Sequence, residues 1–409
     1  MQTKIHPSLA GRPDVQKADE ILRSCVHCGF CTAVCPTYQM LGDELDGPRG
    51  RIYLIKDMLE TNSVSEQATQ HIDRCLTCRS CETACPSGVR YGWLLDIGRG
   101  IIAEKTTPRF GWRILAVGLR TVVPRPGLFT FLLRLGQVFR PLLPPFLKNT
   151  VPLKQPVRKY PVKQVDRPVK RVAILQGCVQ RGATPNVNRA LEYLLSINNI
   201  AFRYIEGEGC CGAVDLHLSA HEVAERRMKD LVDRLMAIDD SVEAIVSTAS
   251  GCGLTIKEYP QVLGDDPVYG DLARHLATRV KDASEFLEDV EFNCEPVRVA
   301  FQSPCSLQHG SRLQGKVEAI LARAGMELTA VPRPHLCCGS AGTYSFMQPK
   351  LANRLRDEKL EALMSDSPEI IATANVGCQV HLGTSSALPV VHWLELLADR
   401  TSLIEQPPE

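Results

Sequence analysis

The sequence carries almost no excess of charge of either sign. It has 47 lysines and arginines against 46 aspartates and glutamates, which gives a formal net charge of +1 at pH 7. Proteins that bind nucleic acids usually carry a strong basic excess, so we expect no nucleic-acid partner. Aromatic residues make up only 6% of the chain, which also argues against a surface built for base stacking.

Long hydrophobic runs are missing as well. A membrane-spanning helix needs about 18 consecutive apolar residues, and stretches such as 128–133 are interrupted by arginine and proline well short of that length. No basic segment followed by an apolar one, as in a secretory signal, is visible at the start of the sequence. We therefore expect a cytoplasmic protein in a reducing compartment, where patterned cysteines serve as metal or redox ligands more often than as disulfides.

Cysteine, in contrast, is abundant, with 17 in 409 residues. Eight of the cysteines form two copies of the pattern C-x2-C-x2-C-x3-C-P, offset by 50 residues. The first copy consists of Cys25, Cys28, Cys31 and Cys35, and the second of Cys75, Cys78, Cys81 and Cys85. Between the two copies, apolar residues recur at helical spacing, which predicts a helical bridge.

This spacing is typical of [4Fe–4S] clusters, and in two-cluster ferredoxins the fourth cysteine of each run ligates the other cluster. We therefore predict that cluster 1 is bound by Cys25, Cys28, Cys31 and Cys85, and cluster 2 by Cys75, Cys78, Cys81 and Cys35. Two zinc sites are the alternative, although zinc usually takes C-x2-C pairs that a longer loop separates. A pair of adjacent cubanes indicates one-electron transfer.

Residues 106–170 differ in composition from the segments around them. They contain 13 lysines and arginines but a single acid, Asp166, and prolines are frequent. We interpret this segment as a linker with short helices. Arg109, Arg113 and Arg120 would fall within about 40° of one another on a helix, among apolar residues. Such a segment fits an anionic membrane surface, an acidic partner, or a helix packed across the two domains.

Residues 171–409 contain an internal duplication with a period of about 127 residues. The recurring cysteines are Cys178, Cys210, Cys211 and Cys252 in the first repeat and Cys305, Cys337, Cys338 and Cys378 in the second. Each set can hold a further iron–sulfur or metal centre, and a redox-active or merely buried group of thiols is the alternative. Cys294 belongs to no pattern, and we expect it to be buried like a small apolar residue.

Short β-rich runs precede the cysteine motifs of both repeats, at 172–175, 244–247, 299–301 and 370–374. Helical patterns lie between them, at 188–195, 220–236 and 350–364. Strands that alternate with helices predict an α/β unit with a parallel sheet. The cysteines would then lie on loops at the strand ends, where such folds place their ligands.

Together these motifs resemble a known family. The two cysteine runs with their helical bridge look like the helical ferredoxin module of the succinate dehydrogenase iron–sulfur subunit. The Cys-Cys-Gly repeats look like the cysteine-rich domain of heterodisulfide reductases. Their combination over nearly the whole chain is similar to the glycolate oxidase iron–sulfur subunit family, as are the segments Gly-Pro-Arg-Gly-Arg at 47–51 and Leu-Cys-Cys-Gly-Ser-Ala-Gly at 336–342.

The resemblance implies electron transfer inside a glycolate dehydrogenase. An FAD-containing subunit would oxidise the 2-hydroxy acid, and this chain would pass the electrons toward membrane quinone from a peripheral position on the inner face of the cell membrane. The repeats depart from the reductase pattern, because Thr255 and His381 stand where that pattern has a second late cysteine. Each repeat therefore offers four thiols instead of five. We interpret His381 as structural and His392 as a packing or supporting residue rather than a ligand.

We accordingly predict a multidomain α+β protein. An all-α two-cluster ferredoxin module spans residues 1–105, the linker 106–170, and two α/β cysteine-rich repeats 171–290 and 291–409. No G-x-G-x-x-G fingerprint follows a strand, so we expect no flavin or nicotinamide site and no catalytic residue in this chain. Three other hypotheses stay open: a thiol- or heterodisulfide-reductase-like subunit with catalytic Cys-Cys-Gly sites, a subunit acting with lactate or glycerol 3-phosphate, and a scaffold with structural metal.

Overall fold

The computed structural model describes residues 1–108, 110–144 and 151–401. Its N-terminal part consists of the helices Pro13–Ser24, Phe30–Ala33, Pro36–Leu41, Pro48–Thr61, Glu66–Asp73, Ser80–Thr83 and Tyr91–Lys105, with a 3-10 turn at Glu44–Asp46. Proline opens three of these helices at the position where its missing N–H costs nothing. Their apolar faces share one core around Leu22, Ile55 and Leu95, which are fully buried.

The two cysteine runs adopt the same backbone conformation. In the first run His27 and Gly29 have positive φ angles of 57° and 85°. In the second run Thr77 and Arg79, 50 residues further along, have φ angles of 54° and 61°. These left-handed residues turn the chain twice within each C-x2-C-x2-C segment, so that its three cysteines face one centre. The fourth cysteine of the first run, Cys35, comes immediately before the helix Pro36–Leu41.

The basic linker contains two helices, Phe110–Val122 and Pro126–Val138, followed by a 3-10 turn at Arg140–Leu142. They are longer than the short helices that the sequence predicts, and they bury few of their own side chains. Large apolar side chains instead face solvent at Phe110, Ile114, Val117, Phe131, Val138, Phe139 and Leu142. Among the described residues, no helix is long and apolar enough to cross a membrane.

The arginines of the linker differ in their surroundings. Arg113 is exposed, but Arg120 turns toward the first repeat, where its Nε lies 3.2 Å from a carboxylate oxygen of the buried Asp215. Arg109 lies outside the described residues. Through Arg120 the helix Phe110–Val122 therefore packs on the first repeat, which agrees with a linker helix packed across the domains.

The C-terminal part contains two four-stranded parallel sheets. The first is formed by β1 (Lys170–Leu175), β2 (Ile200–Tyr204), β3 (Ala244–Ser247) and β4 (Val280–Asp282), in the order β2-β1-β3-β4. The second is formed by β5 (Arg298–Gln302), β6 (Glu327–Leu328), β7 (Ile370–Thr373) and β8 (Val390–His392), in the order β6-β5-β7-β8. All neighbouring strands are parallel, and the same order in both sheets confirms the duplication and the predicted fold class.

Helices cover both sheets. In the first repeat they are Gln180–Ala183, Asn186–Ile197, Ala213–His217, His221–Met236, Ser250–Lys257, Tyr259–Leu263, Tyr269–Arg279 and Ala283–Phe286. In the second they are Lys316–Arg323, Tyr344–Met347, Pro349–Met364, Val376–Gly383 and Trp393–Arg400, with a π-helical turn at Ser306–Gly310. The helices Asn186–Ile197 and Trp393–Arg400 pack on each other, so the two repeats share one apolar core.

Candidate metal centres

The cysteines predicted to bind cluster 1 meet between the two cysteine loops. The short helices Phe30–Ala33 and Ser80–Thr83 pack against one another and bring the end of the second run beside the first. One small pocket there is lined by Cys25, Cys28, Cys31 and Cys85, together with Cys81. Burial, with the charges of the other three, raises the pKa of Cys31 to about 11. Cys28 is exposed, so this site borders solvent.

The cysteines predicted to bind cluster 2 lie deeper in the protein. Burial, followed by the charges of Cys78, Cys75 and Cys35, raises the pKa of Cys81 well above its ordinary value. Burial also raises the pKa of Cys35, although the charge of Arg51 opposes this effect. Metal ligation requires thiolates, so loading these buried sites must release protons.

The spacing of the sulfurs bears on the type of centre. A tetrahedral zinc ion with Zn–S bonds of about 2.3 Å holds its sulfurs about 3.8 Å apart. Among the residues that the structure describes, no three cysteine sulfurs lie within 4.8 Å of one another. The described cysteines therefore offer no compact set of three thiols for a single zinc ion, and their C-x2-C-x2-C-x3-C spacing is that of a cubane.

The cysteines of each Cys-Cys-Gly repeat also come together. In the first repeat the sulfurs of Cys178 and Cys210 are 3.7 Å apart, and Cys211 lies against both Cys210 and Cys252. Hydrogen bonds from Cys178 and Cys211 lower the pKa of Cys210 well below its ordinary value.

In the second repeat the sulfurs of Cys338 and Cys378 are 3.2 Å apart, and Cys337 contacts both Cys305 and Cys338. The glycine of this motif is required by the backbone. Gly339 has a φ of +88°, and a Cβ there would overlap the carbonyl oxygen of Ala352. Cys294, in contrast, is buried away from both sets and contacts the carbonyl of Leu397, which is consistent with a small core residue.

One large cavity of about 2080 Å³ connects these groups. Its walls carry all eight repeat cysteines, Cys75 and Cys78 of the ferredoxin part, and apolar side chains of the two linker helices. The two repeats differ in their contact with the ferredoxin part. Hydrogen bonds with Cys337 and with Cys78, together with burial, raise the pKa of Cys305, so the second thiol set touches the cysteines of the cluster 2 site directly.

Comparisons with known proteins bear on this arrangement. The 4Fe-4S dicluster domain family matches residues 21–89, and the cysteine-rich domain family matches residues 172–257 and 299–383. The chain is 48% identical over 406 residues to the "Glycolate oxidase iron-sulfur subunit" of Escherichia coli (strain K12), covering 97% of this chain and 98% of that protein. The chain belongs to the glycolate oxidase iron–sulfur subunit family.

More distant relatives share the same parts. The "Probable glycolate oxidase iron-sulfur subunit" of Bacillus subtilis (strain 168) is 29% identical, with 92% of this chain and 94% of that protein covered. "Lactate utilization protein A" of the same organism is 26% identical over 56% of this chain and 100% of its own length. As a member of the glycolate oxidase iron–sulfur subunit family, the protein carries [4Fe–4S] clusters and serves as an electron-transfer subunit of an oxidoreductase complex. The predicted family, cofactor and electron-transfer role are confirmed.

Thr255 and His381, which replace the second late cysteine of the reductase pattern, both form hydrogen bonds with the backbone. Thr255 donates its hydroxyl to the carbonyl of Gly251 at 2.9 Å, and His381 Nε2 lies 3.2 Å from the carbonyl of Ala352. His392 is fully buried, and burial lowers its pKa to about 3. Its Nε2 donates to Thr248 and its Nδ1 accepts from Leu394, so backbone groups occupy both ring nitrogens. His392 thus joins the two repeats.

Sequence reasoning missed Lys359, which lies beside the second thiol set. Its side chain is buried, and its Nζ donates to the carbonyl of Pro334 at 3.0 Å. Burial lowers the pKa of Lys359, while the charges of Cys305, Cys338, Cys337 and Cys378 raise it. The sequence did contain a sign of this residue. Lys359 lies at helical spacing from Ala352 and Leu355, on the buried face of the helix Pro349–Met364, where an apolar residue is expected.

Proposed function

We propose that the protein is the electron-transfer subunit of a glycolate dehydrogenase complex, whose iron–sulfur clusters take electrons singly from an FAD-containing partner subunit and pass them toward membrane quinone. Cys25, Cys28, Cys31 and Cys85 would hold cluster 1, and Cys75, Cys78, Cys81 and Cys35 would hold cluster 2. The observation that carries the proposal is the crossed arrangement: the fourth cysteine of each run lies with the first three of the other. Two-cluster ferredoxins bind adjacent cubanes in this way.

The repeats would add one iron–sulfur or metal centre each. Four thiols converge in both repeats, and in the second repeat the buried ammonium of Lys359 faces them. A buried cation needs a negative partner, and a thiolate-bound centre provides one. The contact between Cys305 and Cys78 supports the second repeat as the set nearest to cluster 2.

The substrate would be oxidised by the partner. Among relatives, glycolate and lactate both occur in the printed names, and the 48% identity over the full length favours glycolate. We expect the purified chain, prepared anaerobically, to contain at least about eight iron atoms and to show no glycolate oxidation with a dye as acceptor. With the flavin subunits added, glycolate should reduce the dye. In the absence of dye, glycolate should reduce the iron–sulfur clusters of this chain. Turnover by the isolated chain would contradict the proposal.

The complex would sit on the inner face of the cell membrane through the two linker helices. Phe110, Ile114, Phe131 and Val138 expose most of their surface there, and the segment 106–170 has basic residues with one acid. Exposed apolar side chains among basic ones suit the interface of an anionic bilayer.

This proposal can be tested by vesicle sedimentation of the purified chain. We expect binding to vesicles that contain phosphatidylglycerol and little binding to phosphatidylcholine alone. Phe131→Glu should weaken binding about tenfold, because it removes one buried apolar side chain and adds a negative charge. Val268→Glu is the matched control, since Val268 and Phe131 are both 64% exposed but Val268 lies in the first repeat. Equal losses for both variants, or no sedimentation with anionic vesicles, would contradict membrane docking.

A further inference from the structure

The side chain of Arg51 is almost completely enclosed. It is 1% exposed, which is rare for a guanidinium group. Its Nε donates to the carbonyl of His71 at 2.7 Å, and both Nη atoms lie 3.1 Å from the hydroxyl of Thr37. These contacts fix the charge in one place in the interior, where solvent screens it little.

This charge lies against the cysteines that we assign to cluster 2. The hydroxyl of Thr37, which receives the Arg51 bonds, is 3.3 Å from the sulfur of Cys35. The charges of Cys75 and Cys35 both act on the guanidinium. The hydroxyl of Tyr91 donates to the sulfur of Cys75 at 3.6 Å. Two of the four sulfurs therefore have a buried polar partner, and Arg51 stands between them.

One carboxylate compensates Arg51 in part. An oxygen of the buried Asp46 lies 3.5 Å from Nη2 of Arg51, but the other oxygen of Asp46 binds Arg74 at 2.9 Å. His71 Nδ1 also lies 2.9 Å from Asp46. Asp43, Asp46 and His71 are close enough together to resemble a cation site, yet two guanidinium groups already bind Asp46 and would repel a metal ion. Two arginines share the buried carboxylate of Asp46. The second carboxylate, Asp43, is half exposed and, among the described residues, reaches only the basic side chain of His71 at 3.9 Å, so Arg51 has no carboxylate of its own.

The cluster 1 site is different. Its arginine, Arg49, begins only two residues earlier on the same helix, but its side chain is 36% exposed and its Nε pairs with Glu44 at 2.6 Å. Water and Glu44 both weaken the effect of this charge on Cys31. The segment Gly-Pro-Arg-Gly-Arg thus sends one arginine to each site, one screened and one buried.

We propose that the buried charge of Arg51 raises the reduction potential of cluster 2 above that of cluster 1. This inference rests on the proposed function. Reduction adds one negative charge to a cluster, and a fixed cation in a low-dielectric environment stabilises that charge. Cluster 2, the site with the higher reduction potential, then lies beside Cys305 of the second repeat. The asymmetry therefore favours one direction of transfer, from the solvent-facing site inward.

The test is a redox titration of the holoprotein followed by electron paramagnetic resonance, with each signal assigned through cysteine variants. In Arg51→Gln we expect the ratio of reduced to oxidised cluster 2, at the wild-type midpoint potential, to fall at least tenfold, which corresponds to about 59 mV. The cluster 1 midpoint should stay unchanged. Arg49→Gln is the matched control and should leave cluster 2 unchanged. Arg51→Lys should restore most of the wild-type potential.

The sign of a second substitution separates charge from structure. Asp46→Asn removes the compensating carboxylate, so it should raise the cluster 2 midpoint, opposite to Arg51→Gln. Unchanged midpoints in Arg51→Gln with full iron content would overturn the proposal, as would shifts of the same sign in both variants. If Arg51→Gln loses cluster 2, the midpoint potentials of Arg51→Lys and Asp46→Asn test the proposal instead: the first should stay near the wild-type value and the second should rise. Wild-type protein without a cluster 2 signal would instead overturn the proposed function.

Discussion

We expect the Cys85→Ala variant to lose cluster 1 although Cys85 belongs to the second cysteine run. The reason is the crossed geometry, in which Cys85 lies with Cys25, Cys28 and Cys31. The iron bound by the ferredoxin part should fall from about eight atoms to about four. By the same reasoning Cys35→Ala should lose cluster 2 and keep cluster 1.

Iron analysis alone would not show which cluster is lost, so the spectra of paired variants are compared. Cys85→Ala should have the same electron paramagnetic resonance spectrum as Cys28→Ala, and Cys35→Ala the same spectrum as Cys78→Ala. Cys294→Ala removes a buried thiol whose hydrogen-bonding contacts, among the described residues, are Leu397 and Thr401, so this variant should keep both signals. If Cys85→Ala instead matches Cys78→Ala, each run holds its own cluster and the crossed assignment is wrong.

The second large effect is expected in the second Cys-Cys-Gly repeat. Cys338→Ala removes a sulfur at the centre of that set, 3.2 Å from Cys378 and in contact with Cys337. Because this set touches Cys78 through Cys305, its loss should reduce quinone-linked glycolate oxidation by the complex at least about tenfold. Under the proposed function, dye reduction at the flavin subunit should be unaffected, because the dye would take electrons before they reach this chain.

The corresponding substitution in the first repeat, Cys211→Ala, shows whether the two sets are equivalent. Within the described residues, no hydrogen bond joins the first thiol set to the ferredoxin cysteines, so we expect a smaller loss of quinone-linked activity. The iron content of each variant shows whether its set was filled. If Cys338→Ala lacks the iron of that set but keeps full quinone-linked turnover, the second repeat takes no part in electron transfer to quinone.

Much of the ferredoxin part could be predicted because its chemistry is local. Three cysteines within seven residues leave few backbone paths around a cube, and the repeated pattern places left-handed residues at the same positions in both runs. The burial of Arg51 was not visible in the sequence. It depends on Asp46, Thr37 and the carbonyl of His71, which come from three separate elements.

In the repeats, the sequence predicted the central strands and missed the edges. The predicted runs coincide with β3 and with the buried parts of β1, β5 and β7, where consecutive buried residues form continuous apolar segments. The outer strands β2, β4, β6 and β8 are two to five residues long and partly exposed, so they have no clear pattern. The long helices were predicted to within about two residues at each end, because their apolar stripes are regular.

The conformation of Arg79 has a consequence for how the protein matures. An arginine with a φ of 61° costs about 1 kcal/mol, where the first run has a glycine. Its guanidinium binds Glu82 and also Glu258, a residue of the first repeat that is synthesised long after the loop itself. The loop around Cys75, Cys78 and Cys81 is thus completed by the later half of the polypeptide. The packing of this loop thus depends on the first repeat, whereas the four cysteines of the solvent-facing site all lie within residues 25–85.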